Sequence, residues 1–180
     1  MRRNHWLTPL RRNLPAELST DETDIAFMRM ALEEAAQAAS EGEVPVGAVL
    51  VHQGNLVART HNHVERDKRG FAHAELLAIE EATQKLGMWR LDDCVLYVTK
   101  EPCPMCAGAM VNCRLPRLVF GCGDSRTGGA GGALDITHMP EGIHQVSVTS
   151  GVLAEECLAI IQVFFRKRRQ DSSKQGRIND

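Results

Sequence analysis

The sequence lacks any apolar run long enough to cross a membrane. A transmembrane helix needs about 20 predominantly apolar residues, and the longest candidates here, 44–51 and 152–165, are too short or are interrupted by charges. The basic N-terminus is not followed by the apolar segment of a secretion signal. We therefore expect a soluble, cytoplasmic protein with no membrane partner.

The chain also lacks the signs of a disulfide-stapled protein, although it has six cysteines. Its 180 residues, 43% of them hydrophobic, are enough for one domain with a substantial core. Two of the cysteines, Cys103 and Cys106, form a C-x-x-C motif. The other four lie in apolar surroundings, which predicts small buried side chains rather than disulfides.

Local sequence patterns predict the helices and strands of the fold. Helical periodicity and capping signals predict helices at 21–40, 74–86, 104–113 and 153–169. Apolar, β-rich runs predict strands at 44–51, 56–60, 94–99, 117–120 and 145–149, separated by predicted loops at 61–70 and 121–142. This order favours an α/β domain with helices on both faces of a mixed sheet.

The two ends of the chain differ from its body. The overall net charge is −2, yet arginines and lysines concentrate in residues 1–20 and 166–180. Residues 1–20 show no periodicity and are predicted to be a disordered basic extension, either a transit peptide or the product of an upstream start codon. The predicted domain covers 21–170, and 171–180 is predicted to be a polar tail.

Two motifs place metal-binding side chains at the starts of predicted helices. His73-Ala74-Glu75 opens one helix, and a C-x-x-C that begins with Cys103 opens the next. The partial positive charge of a helix N-terminus favours thiolate, the form of cysteine that binds metal. Cys103 and Cys106 are three residues apart, so both sulfurs fall on one side of the first helical turn.

Two thiolates and one imidazole predict a catalytic zinc site. A tetrahedral Zn²⁺ with three protein ligands keeps one position for water. Two thiolates offset the charge of the ion, so a nearby carboxylate base is needed, and Glu75 is the candidate. Since positions i and i+2 do not share a helix face, His73 must lie at the helix cap. A closed structural site would need a fourth ligand from His61, His63, His138 or Cys113, none of which has the usual spacing.

The combination of H-x-E with P-C-x-x-C is the signature of zinc nucleobase deaminases. Beyond the signature, residues 23–170 closely resemble the bacterial-type tRNA-specific adenosine deaminases of the cytidine/deoxycytidylate deaminase superfamily. The resemblance is carried by VPVGAV at 44–49, AHAE at 72–75, LYVT at 96–99, EPC at 101–103, MCAGAM at 105–110, VFG at 119–121, Asp124, TG at 127–128 and FFR at 164–166. Arg126, Gly123 and Gly132 depart from the usual family pattern.

The resemblance implies both a fold and a reaction. The fold is a three-layer α/β/α sandwich around a mixed, mostly five-stranded sheet of the cytidine-deaminase type, assembled as a homodimer. The reaction is hydrolytic deamination of adenosine to inosine at the wobble position (34) of tRNA, with Glu75 carrying protons for a zinc-activated water. The expected partner is the anticodon stem-loop of an arginine tRNA with an ACG anticodon. A small-molecule deaminase for guanine, cytosine or cytidine, and a non-catalytic zinc-stabilised RNA-binding module, are the alternatives.

The resemblance also implies substrate-binding residues. Asn62, eleven residues before His73, is expected to contact the base or ribose, and Asp124 to lie in the loop that holds the anticodon backbone. The C-terminal helix is expected to contact tRNA through Phe165, Arg166, Arg168 and Arg169. The alternatives are a turn residue for Asn62, a cap for Asp124 and a solvated helix end for the basic run.

Two further expectations concern partners. The Gly-rich stretch at 128–132 lacks the G-x-x-x-x-G-K-[ST] order of a phosphate-binding loop, so no nucleotide cofactor is expected. The predicted helix at 104–113 is apolar nearly all round, so its outer face is expected to contribute to the dimer interface.

Overall fold

The computed structural model describes the backbone of residues 20–176 and the side chains of residues 20–171. The predicted extension at 1–20 lies outside the described residues, apart from Thr20. Five helices and five strands occur within the described range: α1 (Thr20–Ser40), β1 (Gly47–His52), β2 (Asn55–His61), α2 (Val64–Asp67), α3 (Ala74–Leu86), β3 (Cys94–Lys100), α4 (Pro104–Asn112), β4 (Arg117–Cys122), β5 (Ser147–Ser150) and α5 (Ala154–Gly176).

The five strands form one mixed sheet in the order β2-β1-β3-β4-β5. β1 runs antiparallel to both of its neighbours, and Ala48 pairs with Val98 of β3. β3, β4 and β5 run parallel to one another, with Val95 opposite Arg117. The predicted five-stranded mixed sheet is therefore confirmed.

Helices cover both faces of the sheet, so the strands are buried on both sides. One core lies between the sheet and helices α3 and α4, and it includes Leu50 and Met110. The other core lies between the sheet and helices α1 and α5, and it includes Phe27, Val49 and Cys157. This arrangement confirms the predicted three layers.

Three differences from the predicted elements are the largest, and the other bounds agree within two residues. β1 begins at Gly47 rather than at 44, because Pro45 has no N–H to donate to a neighbouring strand. A short helix, α2, interrupts the predicted loop at 61–70. Helix α5 continues to Gly176, so the first six residues of the predicted polar tail are helical.

Gly47 explains how closely α1 packs on the sheet. A Cβ atom at this position would lie 2.1 Å from the carbonyl oxygen of Ala31 in α1. Only glycine permits this approach of the helix backbone to the strand.

The connections bring two helix N-termini to one edge of the sheet. β2 leads through α2 to the start of α3, and β3 leads directly to the start of α4. In open α/β sheets, the region beyond the carboxyl ends of the strands is where sites form. None of the helices within residues 20–176 is both long and apolar enough to cross a membrane.

Candidate active site

The residues that precede α3 and α4 have the same backbone conformation. His73 is the N-cap of α3, with φ −77° and ψ 147°. Cys103 is the N-cap of α4, with φ −70° and ψ 168°, and Pro104 follows at the start of the helix. Neither side chain caps its own helix, so both point toward the space between the two helix ends. The predicted cap position of His73 is therefore confirmed.

Three donor atoms meet between these helix ends. The Sγ atoms of Cys103 and Cys106 are 3.6 Å apart, and the Nδ1 atom of His73 lies 3.7 Å from the first and 3.6 Å from the second. With zinc–ligand distances of 2.0 to 2.3 Å, a tetrahedral site has ligand–ligand distances of about 3.5–3.8 Å. The triangle therefore fits three corners of such a site and leaves the fourth corner for another ligand.

The electrostatics of the triangle favour a thiolate. Hydrogen bonds from the Cys106 thiol and from His73 lower the pKa of Cys103 to about 3. The same hydrogen bond, together with burial, raises the pKa of Cys106. The hydrogen bond with Cys103 raises the pKa of His73. Two sulfurs and one imidazole are ligands that suit a soft, divalent cation.

Glu75 lies beside this triangle with its carboxyl group buried. The residue is only 4% exposed, and its Oε2 atom has no hydrogen-bond partner within the described part of the chain. Burial raises its pKa. Buried polar atoms without partners are rare in folded proteins and concentrate at functional sites. The arrangement thus provides a group that can accept and return a proton next to a metal position.

A cavity of about 270 Å³ opens over these residues. His73, Glu75 and Cys103 line it, together with Asn62 and Lys100. Its size is close to the lower end of the range for small-molecule pockets, about 300–1,000 Å³. The pocket therefore combines a metal position, a proton carrier and a cation within one small space.

Asn62 lines the pocket and also makes a structural contact. The residue is 7% exposed and lines the pocket. Its Oδ1 atom accepts a hydrogen bond from the backbone N–H of Ala74 at 3.0 Å, and Thr60 donates to the carbonyl of Ala74 at 2.7 Å. Asn62 therefore fixes the residue between His73 and Glu75.

Asp124 is the cap of a turn and does not itself line the pocket. Its carboxylate accepts hydrogen bonds from the backbone N–H groups of Arg126 and Thr127, from the Thr127 hydroxyl and from Lys100. Burial would raise the pKa of Asp124, but the hydrogen bonds from Lys100 and Thr127 outweigh it, and the net pKa is lowered. Asp124 thereby positions Lys100 and Thr127, which do line the pocket.

Glu101 organises the Gly-rich loop, a function that the sequence analysis missed. The residue is 3% exposed, and its carboxylate accepts hydrogen bonds from the N–H groups of Asp124 at 2.7 Å, Ala130 at 3.1 Å and Gly132 at 2.8 Å. A Cβ atom at Gly128 would lie 2.3 Å from the Glu101 carboxyl carbon, and one at Gly132 would lie 2.3 Å from the Asp124 carbonyl oxygen. The glycines are therefore needed because the loop wraps around a buried carboxylate.

The basic end of α5 reaches the rim of the pocket. The Arg168 guanidinium lies 3.9 Å from a carboxylate oxygen of Glu65, which lines the pocket. Phe164 and Phe165 pack edge to face, with ring centroids 5.4 Å apart, and Phe165 is 38% exposed. Arg166 and Arg169 are exposed on the same helix end.

None of the six cysteines forms a disulfide. Cys94, Cys122 and Cys157 are buried and Cys113 is half-buried. The prediction of small buried side chains is therefore confirmed for three of these four residues.

Comparison with known proteins agrees with this geometry. A family model for MafB19-like deaminases matches residues 22–169. The tRNA-specific adenosine deaminase of Bacillus subtilis is 48% identical over 147 residues, which cover 82% of this chain and 91% of the relative. This chain belongs to the bacterial-type tRNA-specific adenosine deaminase family.

Two solved structures are similar to this deaminase in both fold and sequence. One comes from a study of A-to-I editing by tRNA:A34 deaminases at the wobble position of transfer RNA; it has a TM-score of 0.73 and 39% identity, and the match covers 75% of this chain and 98% of the other. The guanine deaminase of Nitrosomonas europaea has a TM-score of 0.66 and 26% identity, covering 78% of this chain and 83% of the other. Deaminases of a free base therefore share the fold.

Proposed function

We propose that this deaminase hydrolyses adenosine to inosine, with release of ammonia, at wobble position 34 of tRNA. The observation that carries the proposal is the buried, unpartnered carboxylate oxygen of Glu75 beside the His73, Cys103 and Cys106 triangle. The substrate is inferred from the relatives, since the B. subtilis relative is named a tRNA-specific adenosine deaminase and the compared structure belongs to a study of tRNA:A34 deaminases.

We propose that His73, Cys103 and Cys106 hold one Zn²⁺ ion. When bound, the ion supplies Lewis-acid activation of a water molecule. Glu75 takes one proton from the attacking water and delivers it to the ring nitrogen of the base. It then takes the second proton, from the hydroxyl group now on the ring carbon, and delivers it to the amine, which departs as ammonia. Its raised pKa suits this exchange, because a proton carrier works best when its pKa approaches the working pH.

The surroundings of the pocket fit an unpaired nucleotide. A wobble base lies in a single-stranded loop and can be turned out of its stack at little cost. In the proposed complex, Asn62 contacts the base or ribose, and Asp124 acts through Lys100 and Thr127 on the backbone. The cluster of Phe165, Arg166, Arg168 and Arg169 on α5 contacts the anticodon stem-loop, where cations meet phosphates.

We further propose that the deaminase acts in the cytoplasm as a homodimer, on an arginine tRNA with an ACG anticodon. Helix α4 supports the dimer: Cys106 and Met110 face the core, whereas Met105 on the other side is 42% exposed. An isologous pairing of this outer face would cover the exposed methionine. Sedimentation at micromolar concentration is expected to give twice the monomer mass, and a monomeric mass would refute the pairing.

The test of the reaction uses the full chain loaded with zinc and an anticodon stem-loop that carries adenosine at the wobble position. Nucleoside analysis after digestion is expected to show inosine. Glu75→Gln is expected to abolish the product, whereas Glu80→Gln, an exposed carboxylate of the same helix, serves as the matched control. Ammonia released only from guanine, cytosine or cytidine would replace the tRNA assignment by the small-molecule one. Binding of the stem-loop without any product would favour an RNA-binding module.

A further inference from the structure

A second cluster of metal-binding side chains lies next to the pocket. His61 and His63 flank Asn62, where β2 ends. Asn62 lines the pocket, whereas neither histidine does. His61 contacts Glu34, in the C-terminal half of α1, and Glu41, the residue that follows α1.

The donor atoms of this cluster converge on one point. The two Nε2 atoms of His61 and His63 are 3.2 Å apart, and the first lies 3.3 Å from an Oε atom of Glu41. All three donor atoms lie within 4.8 Å of one another. A tetrahedral site with bonds of 2.0–2.1 Å has ligand–ligand distances of about 3.3–3.4 Å, close to the two short distances in the cluster.

A carboxylate holds the other nitrogen of the His61 ring, and a second carboxylate lies near that of His63. The Nδ1 atom of His61 lies 3.0 Å from Glu34, whose second oxygen accepts a hydrogen bond from Arg59 at 2.9 Å. The Nδ1 atom of His63 lies 3.8 Å from Asp67. Metal-binding histidines characteristically donate their second N–H to a carboxylate, which orients the ring and directs the remaining nitrogen at the metal. His61 has this arrangement with Glu34.

We propose that Glu41, His61 and His63 form a second site for a divalent transition-metal ion, separate from the site at His73, Cys103 and Cys106. Two imidazoles and one carboxylate are a ligand set that binds Zn²⁺. The side chain of His61 is only 12% exposed and that of His63 only 18%, so the surrounding protein holds both rings in place without the metal.

Arg66 competes with the metal for this cluster. Its guanidinium lies 2.7 Å from Nδ1 of His63 and 3.8 Å from Glu41. Its side chain is 52% exposed and also pairs with Asp67 at 2.8 Å, so the guanidinium can leave Nδ1 of His63 and keep a partner. Because Arg66 and the metal compete, removal of the arginine is expected to strengthen metal binding instead of weakening it.

The position of the cluster links it to the pocket. A metal that joins His61 and His63 to Glu41, the residue after α1, would hold the chain on both sides of Asn62. The Oδ1 atom of Asn62 in turn holds the backbone of Ala74, between His73 and Glu75. The second metal would therefore stabilise the start of α3. Its binding can be measured without any RNA substrate.

The test measures Zn²⁺ bound per chain after incubation with excess zinc and gel filtration, by elemental mass spectrometry. The wild-type chain is expected to hold two ions, and His61→Ala and His63→Ala one each. His138→Ala, a histidine paired with a carboxylate elsewhere on the surface, is the matched control and keeps two. Arg66→Ala is expected to keep two ions and to bind the second about tenfold more tightly in a calorimetric titration.

Cobalt substitution identifies which site each ion occupies. The thiolates of Cys103 and Cys106 give Co²⁺ an intense sulfur charge-transfer absorption that a site of nitrogen and oxygen ligands lacks. His61→Ala is expected to keep the sulfur band and lose one equivalent of Co²⁺, which also shows that the variant is folded. One ion per chain in the wild type, or a second ion that survives both histidine substitutions, overturns the proposal. Loss of inosine formation with two ions still bound would count against the proposed function alone.

Discussion

Replacement of Glu101 by glutamine tests the loop architecture most directly. The buried carboxylate accepts three backbone N–H groups, two at one oxygen and one at the other. Glutamine has the same shape but offers one acceptor oxygen, so its amide N–H₂ would face at least one of these donors. A buried unsatisfied donor costs about 1–3 kcal/mol, and the remaining bonds lose their charge assistance, each worth about 1.5–3 kcal/mol with a charged partner.

We therefore expect Glu101→Gln to lower the free energy of unfolding by about 3 kcal/mol. For a domain of this size, this corresponds to a fall in Tm of about 6–12 °C. The measurement is thermal unfolding followed by circular dichroism, at one scan rate for all variants. Glu80→Gln, on the exposed surface of α3, is the control and should leave Tm unchanged within about 1 °C.

The result that would refute the reasoning is a Tm of Glu101→Gln within about 2 °C of the wild type. It would mean that the three hydrogen bonds do not hold the loop. The variant is also expected to bind an anticodon stem-loop more weakly, because Asp124 loses its backbone partner.

Three further outcomes are expected. Glu75→Ala should retain one equivalent of metal at the Cys-containing site and lose about 10²–10⁴-fold in turnover, since it removes the proton carrier; full activity in an assay of inosine formation would contradict its assignment. Arg168→Ala combined with Arg169→Ala should weaken stem-loop binding and reduce the slope of log K against log salt by about two, and an unchanged slope would remove α5 from the interface. Asp124 has a lowered pKa in the folded state, so its contribution to stability is present above the ordinary value of 3.8 and is lost as pH falls through the folded value. Lys100→Met should move that loss to higher pH in acid titrations followed by circular dichroism, whereas an unchanged acid midpoint would show that the ion pair contributes nothing.

The sequence predicted elements best where local chemistry marks their ends. Helix α3 was predicted to cover 74–86 and does so, because His73 adopts an extended N-cap conformation and Gly87 a left-handed one with φ 69°. The C-terminal end of α5 was placed too early, since no glycine or proline follows Arg169 before Gly176 to mark an end. The four-residue helix α2 has too few residues to show a periodicity.

The site was predictable where ligands follow one another within a few residues. His73, Cys103 and Cys106 belong to two short motifs, and the structure brings them together. Glu101 was missed because its partners lie 23 to 31 residues later, in a loop whose path the sequence does not reveal.

His61 and His63 show a different limit of the sequence analysis. The sequence offers them as candidates for the fourth ligand of a closed structural site, although neither has the usual ligand spacing. In the structure they form a separate group with Glu41. Asn62 lines the pocket, whereas its two neighbours do not.

The loop around Glu101 constrains how this deaminase can change its choice of RNA. The loop is tied to the proposed metal ligands, because Gly129 donates a hydrogen bond to the carbonyl of Pro102, the residue before Cys103, at 2.7 Å. A substitution that shifts the loop backbone therefore also shifts the sulfur of Cys103. Side chains that project outward, such as those of Ser125 and Arg126, can be substituted without moving the sulfur of Cys103. New substrate preferences in this scaffold should therefore arise at those outward positions, while the inner glycines stay as they are.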